Sequence, residues 1–126
     1  IMAKLKPPRP APRSHPTSEY SLKLKNPKWQ QIRLKVFERA GWKCEACGDE
    51  TDSLVVHHGF YRYGLEPWEL PAETLWCLCE TCHNTYQACL PSIKFELGLV
   101  NPLHYVDILW ELTKAREKRP AMSGDL

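Results

Sequence analysis

Apolar and polar residues alternate along this chain with periods that change from block to block. Between Asn26 and Ala40 the apolar residues Trp29, Ile32, Val36, Phe37 and Ala40 stand at i, i+3, i+7, i+8 and i+11, one face of a helix. Asn26 suits an N-cap, Pro27 falls in the first turn where proline is tolerated, and Gly41 supplies a stop. A helix is therefore predicted over 27–40. Leu54 to His58 is a β-branched, apolar run and reads as a strand. Gly59 to Pro71 loses all periodicity but keeps Phe60, Tyr61, Tyr63 and Trp68, so an ordered loop packed by its own rings is expected. Leu75 to Leu78 is a second apolar run, and Glu80 to Leu90 should form a short helix ended by Pro91. Asn101 and Pro102 repeat the cap-plus-proline signal. Leu103, Val106, Leu109, Trp110 and Thr113 then form a stripe that predicts a helix to about Glu117.

Composition changes this picture at the ends. Of the eleven prolines, six fall at or before Pro27, among scattered Lys, Arg and Ser. Such a segment buries too little apolar surface to offset its ordering entropy. The 126 residues thus divide into a flexible basic arm (1–25), a compact domain (26–90), a helical extension (91–119) and a disordered tail (120–126). Net charge is only +2, but residues 1–40 carry ten Lys/Arg against Glu19 and Glu38, while the remainder is acidic. A basic arm on an acidic body points to a polyanion partner, and equally to a solvated arm with none. No run of eighteen apolar residues occurs, and the first residues contain no apolar signal core. The expectation is a cytoplasmic protein, not secreted and with no membrane partner.

The chemistry is concentrated in Cys44 to His83. Cys44-x-x-Cys47 and Cys79-x-x-Cys82 are two thiolate pairs 31 residues apart. Each pair can bind one ion from a tight turn, and together they supply the four ligands of a structural Zn2+. A redox dithiol or an iron–sulfur cluster would use similar residues. Paired spacing and the lack of a secretion signal argue against disulfides. Cys77 and Cys89 fall outside the pattern, and Cys77 reads as a buried apolar residue. His57 and His58 are adjacent on a strand, so their side chains leave on opposite faces. A lone histidine is usually a core or surface residue. A tandem pair, with His83 directly after the second CxxC, suggests a divalent ion and a neutral base for hydrolysing a phosphodiester.

The run W-x2-I-R-x2-V-F-x-R-x-G-x-K-C-x2-C-G from Trp29, then V-x-H-H, P-W-E and L-C-x2-C-H, resembles the HNH endonuclease family over Trp29 to about Gln87. The resemblance implies an α+β fold: a small zinc-stabilised ββα-metal unit with flanking helices. It makes His58 the general base, His57 and His83 ligands of a catalytic ion, and Cys44, Cys47, Cys79 and Cys82 the structural zinc site. DNA is the implied partner. Two positions depart from the family pattern. Thr74 stands where the middle Asn is usual, and Gln87 where some members place a further His. An amide oxygen beside two imidazoles leans to Mg2+, Mn2+ or Ni2+ as the catalytic cofactor. Lys28, Arg33, Lys35 and Arg39, off the apolar helix face, and Arg62 in the aromatic loop are the candidate phosphate contacts. The competing readings are a catalytically silent zinc-knuckle module that binds nucleic acid, and a module that binds a protein partner or itself through helix 101–119.

Overall fold

The computed structural model describes residues 19–119. The expected arm up to residue 18 and the tail from residue 120 lie outside the described residues. The chain forms a small α+β unit. Its elements are α1 (Glu19–Lys23), α2 (Pro27–Arg39), β1 (Leu54–His58), β2 (Leu75–Cys79), α3 (Glu80–Gln87), α4 (Leu90–Leu99) and α5 (Tyr105–Arg116). Short 3-10 turns occur at Pro67–Glu69, Ala72–Thr74 and Pro102–His104. Among the described residues no helix is long and apolar enough to cross a membrane.

Helix α2 forms as its sequence predicts. The Asn26 side chain accepts the Lys28 N–H at 2.9 Å, with Pro27 in the first turn. After Ala40 the chain reverses through Gly41, at a φ of 68°. Trp42 follows at a φ of 60°, which is costly for a bulky residue. Its ring packs on Phe37 with centroids 5.7 Å apart, and its N–H donates to the Phe37 carbonyl at 2.9 Å. These contacts hold the strained residue at the entrance to the first CxxC turn.

Strands β1 and β2 pair antiparallel, with Leu54 opposite Cys79, Val56 opposite Cys77 and His58 opposite Leu75. The pleat sends alternate residues to opposite faces. One face meets α2, where Trp29, Val36 and Phe37 bury against Leu75 and Cys77, with Leu54, Val56 and Trp68 at the margin. Leu78 instead joins Cys44 and Cys79 in a second small cluster. A polar brace ties these parts together. Glu45 accepts the Cys77 N–H at 2.9 Å and lies 3.7 Å from the Arg39 guanidinium and 3.3 Å from that of Arg119. Arg39 also donates to the carbonyls of Ala72 and Leu75.

The structure departs from the sequence expectations in three places. Residues 19–23, expected within the flexible arm, form α1. It is held by the Lys23–Glu66 ion pair at 3.1 Å and the Tyr20–Tyr61 hydroxyl contact at 3.2 Å. Pro91 does not end helical structure: α3 stops at Gln87, and Pro91 occupies the first turn of a new helix, α4. Asn101 caps a 3-10 turn, through Leu103 N–H at 3.1 Å, so that α5 begins only at Tyr105.

Leu75 is 1% exposed in the centre of the α2–sheet core. Leu75→Ala should cost about 2–5 kcal/mol. Asn26→Ala, which removes only the cap, should cost about 1 kcal/mol. Chemical denaturation of both variants beside the parent checks that order.

Candidate functional site

The four cysteines of the two CxxC pairs meet at one point. In the first turn, Gly48 takes a φ of 79° and donates its N–H to the Cys44 carbonyl at 2.8 Å. This bend lets the Cys47 N–H point at Cys44 Sγ, 3.5 Å away. The second turn repeats the device: Cys79 caps α3, and its Sγ accepts the Cys82 N–H at 3.4 Å. All four Sγ atoms lie within 4.8 Å of one another, and Cys47 Sγ is 3.8 Å from Cys79 Sγ. Thiolates about 2.3 Å from a tetrahedral ion have edges of about 3.8 Å, so the group is positioned to hold a metal ion.

Hydrogen bonds within the cluster shift its thiols in opposite directions. Burial opposes the Cys44 thiolate, but N–H groups of Cys47, Cys79 and Ala46 bring its pKa down to about 6. The Cys82 thiol, hydrogen-bonded to Cys79, is pushed up to about 12. A bound cation would displace the Cys82 proton and hold that sulfur as a thiolate. Asp49 and Asp52 also approach Cys79. Their carboxylates are occupied within the turn and with α3: Asp49 accepts the Thr51 N–H and hydroxyl, and Asp52 those of Thr81.

The histidines form a separate group. The pleat separates His57 from His58, as the strand reading predicts. His57 faces α3, where its ring lies 5.7 Å from that of His83. Gln87, one turn further along α3, lies close enough to His57 to favour its protonated form. Nδ1 of His57 is enclosed and has no hydrogen-bond partner. Burial, and then the neighbouring His83, lower the His57 pKa, which favours the neutral, metal-binding form. Two imidazoles and an amide side chain thus lie near one another, with an enclosed imidazole nitrogen among them.

His58 faces α2 and is 8% exposed. Its ring is stacked between Trp29, at 4.7 Å, and Tyr61, at 5.2 Å. Burial pushes its pKa down to about 4, with smaller contributions from His57 and His83. It is neutral at pH 7, and its Nε2 is enclosed without a partner. The loop after it is held by main-chain geometry: the Gly59 N–H donates to the Thr74 carbonyl at 2.8 Å. A Cβ on Gly59 would stand 3.0 Å from that oxygen. The Thr74 hydroxyl turns away to the Pro71 carbonyl.

The basic residues divide into two groups. Lys28, Lys35 and Arg62 are exposed, and Arg33 lies over the Phe37 ring at 4.9 Å. Arg39 does not belong with them. Its side chain is 6% exposed and bound to Glu45 and two carbonyls, so it braces the fold and is withdrawn from phosphate. Three participants escaped the sequence reading. Trp29 on His58, and Arg119 stacked 3.5 Å over Trp76, are contacts between distant residues with no local signal, while Tyr61, three residues after His58, folds back onto it from a loop without periodicity.

Comparison with protein-family models, curated proteins and solved structures found no match.

Titration with cobalt(II) should show one tightly bound equivalent per chain with thiolate-to-metal absorption. Cys79→Ser should lose that band and melt at lower temperature. An unchanged melt with the band retained would refute the four-sulfur site.

Proposed function

We propose that the chain is a metal-dependent HNH endonuclease or nickase that hydrolyses DNA phosphodiester bonds. The observation that carries this reading is the division of the ligands on one β1–β2–α3 unit. Four thiols make one closed group, while His57 and His83 make a second, open group with Gln87 beside it. The first group suits a structural Zn2+ and the second a catalytic Mg2+, Mn2+ or Ni2+. The ββα-metal fold is part of the same proposal.

Each residue then has a distinct task. His57 and His83 hold the ion, and Gln87 orients the His57 ring. A divalent ion bound there supplies charge stabilisation at the scissile phosphate and the leaving oxygen. His58 removes the proton from water through Nε2, the water oxygen attacks phosphorus, and the 3′-oxygen departs. The products carry 5′-phosphate. Burial keeps His58 neutral, but Tyr61 must leave the ring before water reaches Nε2. Lys28 and Arg62 are chain neighbours of the two rings that clamp His58, so a backbone they contact would pass beside it. Arg33 and Lys35 extend the same basic helix surface.

The enclosure of His58 favours one second reading, a silent zinc-knuckle module that binds nucleic acid without cutting it. A cleavage assay on supercoiled plasmid separates the two. The parent should nick or linearise DNA in magnesium, manganese or nickel. His58→Ala should lose at least about 100-fold in rate while keeping its melt and cobalt spectrum. Equal cutting by His58→Ala would remove the base assignment. Salt-sensitive binding with no cleavage in any of the metals would establish the silent module.

A further inference from the structure

We propose that Arg119 is a positioning residue for His58: from beyond α5 it fixes the stretch of β2 to which the chain just after His58 is anchored. The proposal rests on the reading of His58 as the base.

A ribbon of two strands leaves one edge of each strand unpaired, where carbonyls and N–H groups point away from the partner. Side chains cover that edge of β2. Glu45 accepts the Cys77 N–H at 2.9 Å, and the Leu75 carbonyl receives Arg39 and, at 3.4 Å, Arg119. Arg119 also donates to the Glu73 carbonyl at 2.6 Å, and its guanidinium lies 3.5 Å over the Trp76 ring. One planar group thus grips residues 73, 75 and 76 together. A guanidinium can do so because it carries a rigid fork of donors and a face that stacks. The side chain is 12% exposed, so this is a fixed group and not a passing surface contact.

The residues opposite that stretch carry the proposed chemistry. His57 pairs with Trp76 and His58 with Leu75. The register continues one step further, where the Gly59 N–H donates to the Thr74 carbonyl at 2.8 Å. That carbonyl stands between the two that Arg119 binds. The Trp76 ring borders the same junction: a Cβ on Gly59 would meet its Cδ1 and Nε1 at 3.7 Å. Arg119 therefore holds the flanks of the carbonyl that anchors Gly59 and the ring beside Gly59. The Thr74 side chain gives no help, since its hydroxyl donates to the Pro71 carbonyl. A shift of about 1 Å in a reacting group can cost about 100-fold in rate, so the placement of this junction bears directly on His58.

This task is separable from folding. Arg39 lies 3.7 Å from the Glu45 carboxylate and donates to the Ala72 carbonyl at 3.0 Å. Loss of Arg119 leaves Glu45 paired, and the core of Trp29, Val36, Phe37 and Leu75 does not include it.

Amide exchange of the full chain, followed by NMR, reads the junction directly. In Arg119→Ala the Gly59 N–H should exchange at least about tenfold faster than in the parent. The Val36 and Phe37 amides of α2 and the cobalt(II) thiolate band should stay as they were. Arg119→Lys, which keeps the charge but has neither fork nor planar face, should move Gly59 in the same direction, and it carries the comparison if Arg119→Ala loses the cobalt band. In plasmid cleavage Arg119→Ala should lower kcat about tenfold or more with KM unchanged. Unchanged exchange at Gly59 would overturn the proposal. Equal acceleration of Gly59, Val36 and Phe37 would also overturn it, by making Arg119 a brace of the whole fold. Faster Gly59 exchange with the parental kcat would separate Arg119 from the task of His58, with the same consequence. A parent that cuts no DNA in any of the metals would remove the nuclease reading instead, and the Gly59 exchange would still decide what Arg119 holds.

Discussion

A two-stranded ribbon has too little surface to hold itself together in water, and the arrangement of this chain answers that constraint. Helix α2 covers one face of β1–β2 with Trp29, Val36 and Phe37. At the far end of β2, the four sulfurs join the turn before β1 to the turn after β2. This closes a loop of 31 residues at one point. An ion bound there stabilises the fold directly, because the unfolded chain offers no such preformed site. Glu45, inside the first CxxC, accepts the Cys77 N–H and receives Arg39 and Arg119. One carboxylate thus links the end of α2, the cysteine turn, β2 and the residue just beyond α5.

Local signals were legible and distant ones were not. The Asn26 cap, Gly41, the apolar face of α2, the strand at Leu54–His58 and the CxxC turns all depend on residues close in sequence, and each formed as predicted. The meeting of the four thiols was also foreseeable, since their spacing allows few other uses. Arg39 was misread because it lies off the apolar face of α2, and no periodicity reveals that a carboxylate six residues on will bury it. Pro91 carries two meanings, stop and first turn, and the apolar run after it decided for the second. Helix α1 depends on Tyr61 and Glu66, some forty residues away, and left no trace in its own composition.

The same pleat that separates His57 from His58 gives them opposite surroundings. His57 lies half-buried beside His83 and Gln87, in polar company suited to an ion. His58 is set in an aromatic slot, where the charged form is strongly disfavoured. An enclosed nitrogen with no partner is costly, and the fold accepts that cost at both histidines. Both nitrogens, on neighbouring residues, are thus enclosed without a partner, and an apolar side chain would fill either place without that penalty.

Charged and apolar exposure fall in different parts of the chain. Lys28, over the Trp68 ring, and Arg62 are chain neighbours of the two rings that clamp His58. Along α4 and α5 charge is balanced and the exposed large side chains are mainly apolar. They are joined through one contact. Arg119, just beyond α5, stacks on Trp76, and Trp76 is the cross-strand partner of His57. Whatever fixes α5 therefore also fixes the cover over Trp76, and with it the strand pair on which His57 stands.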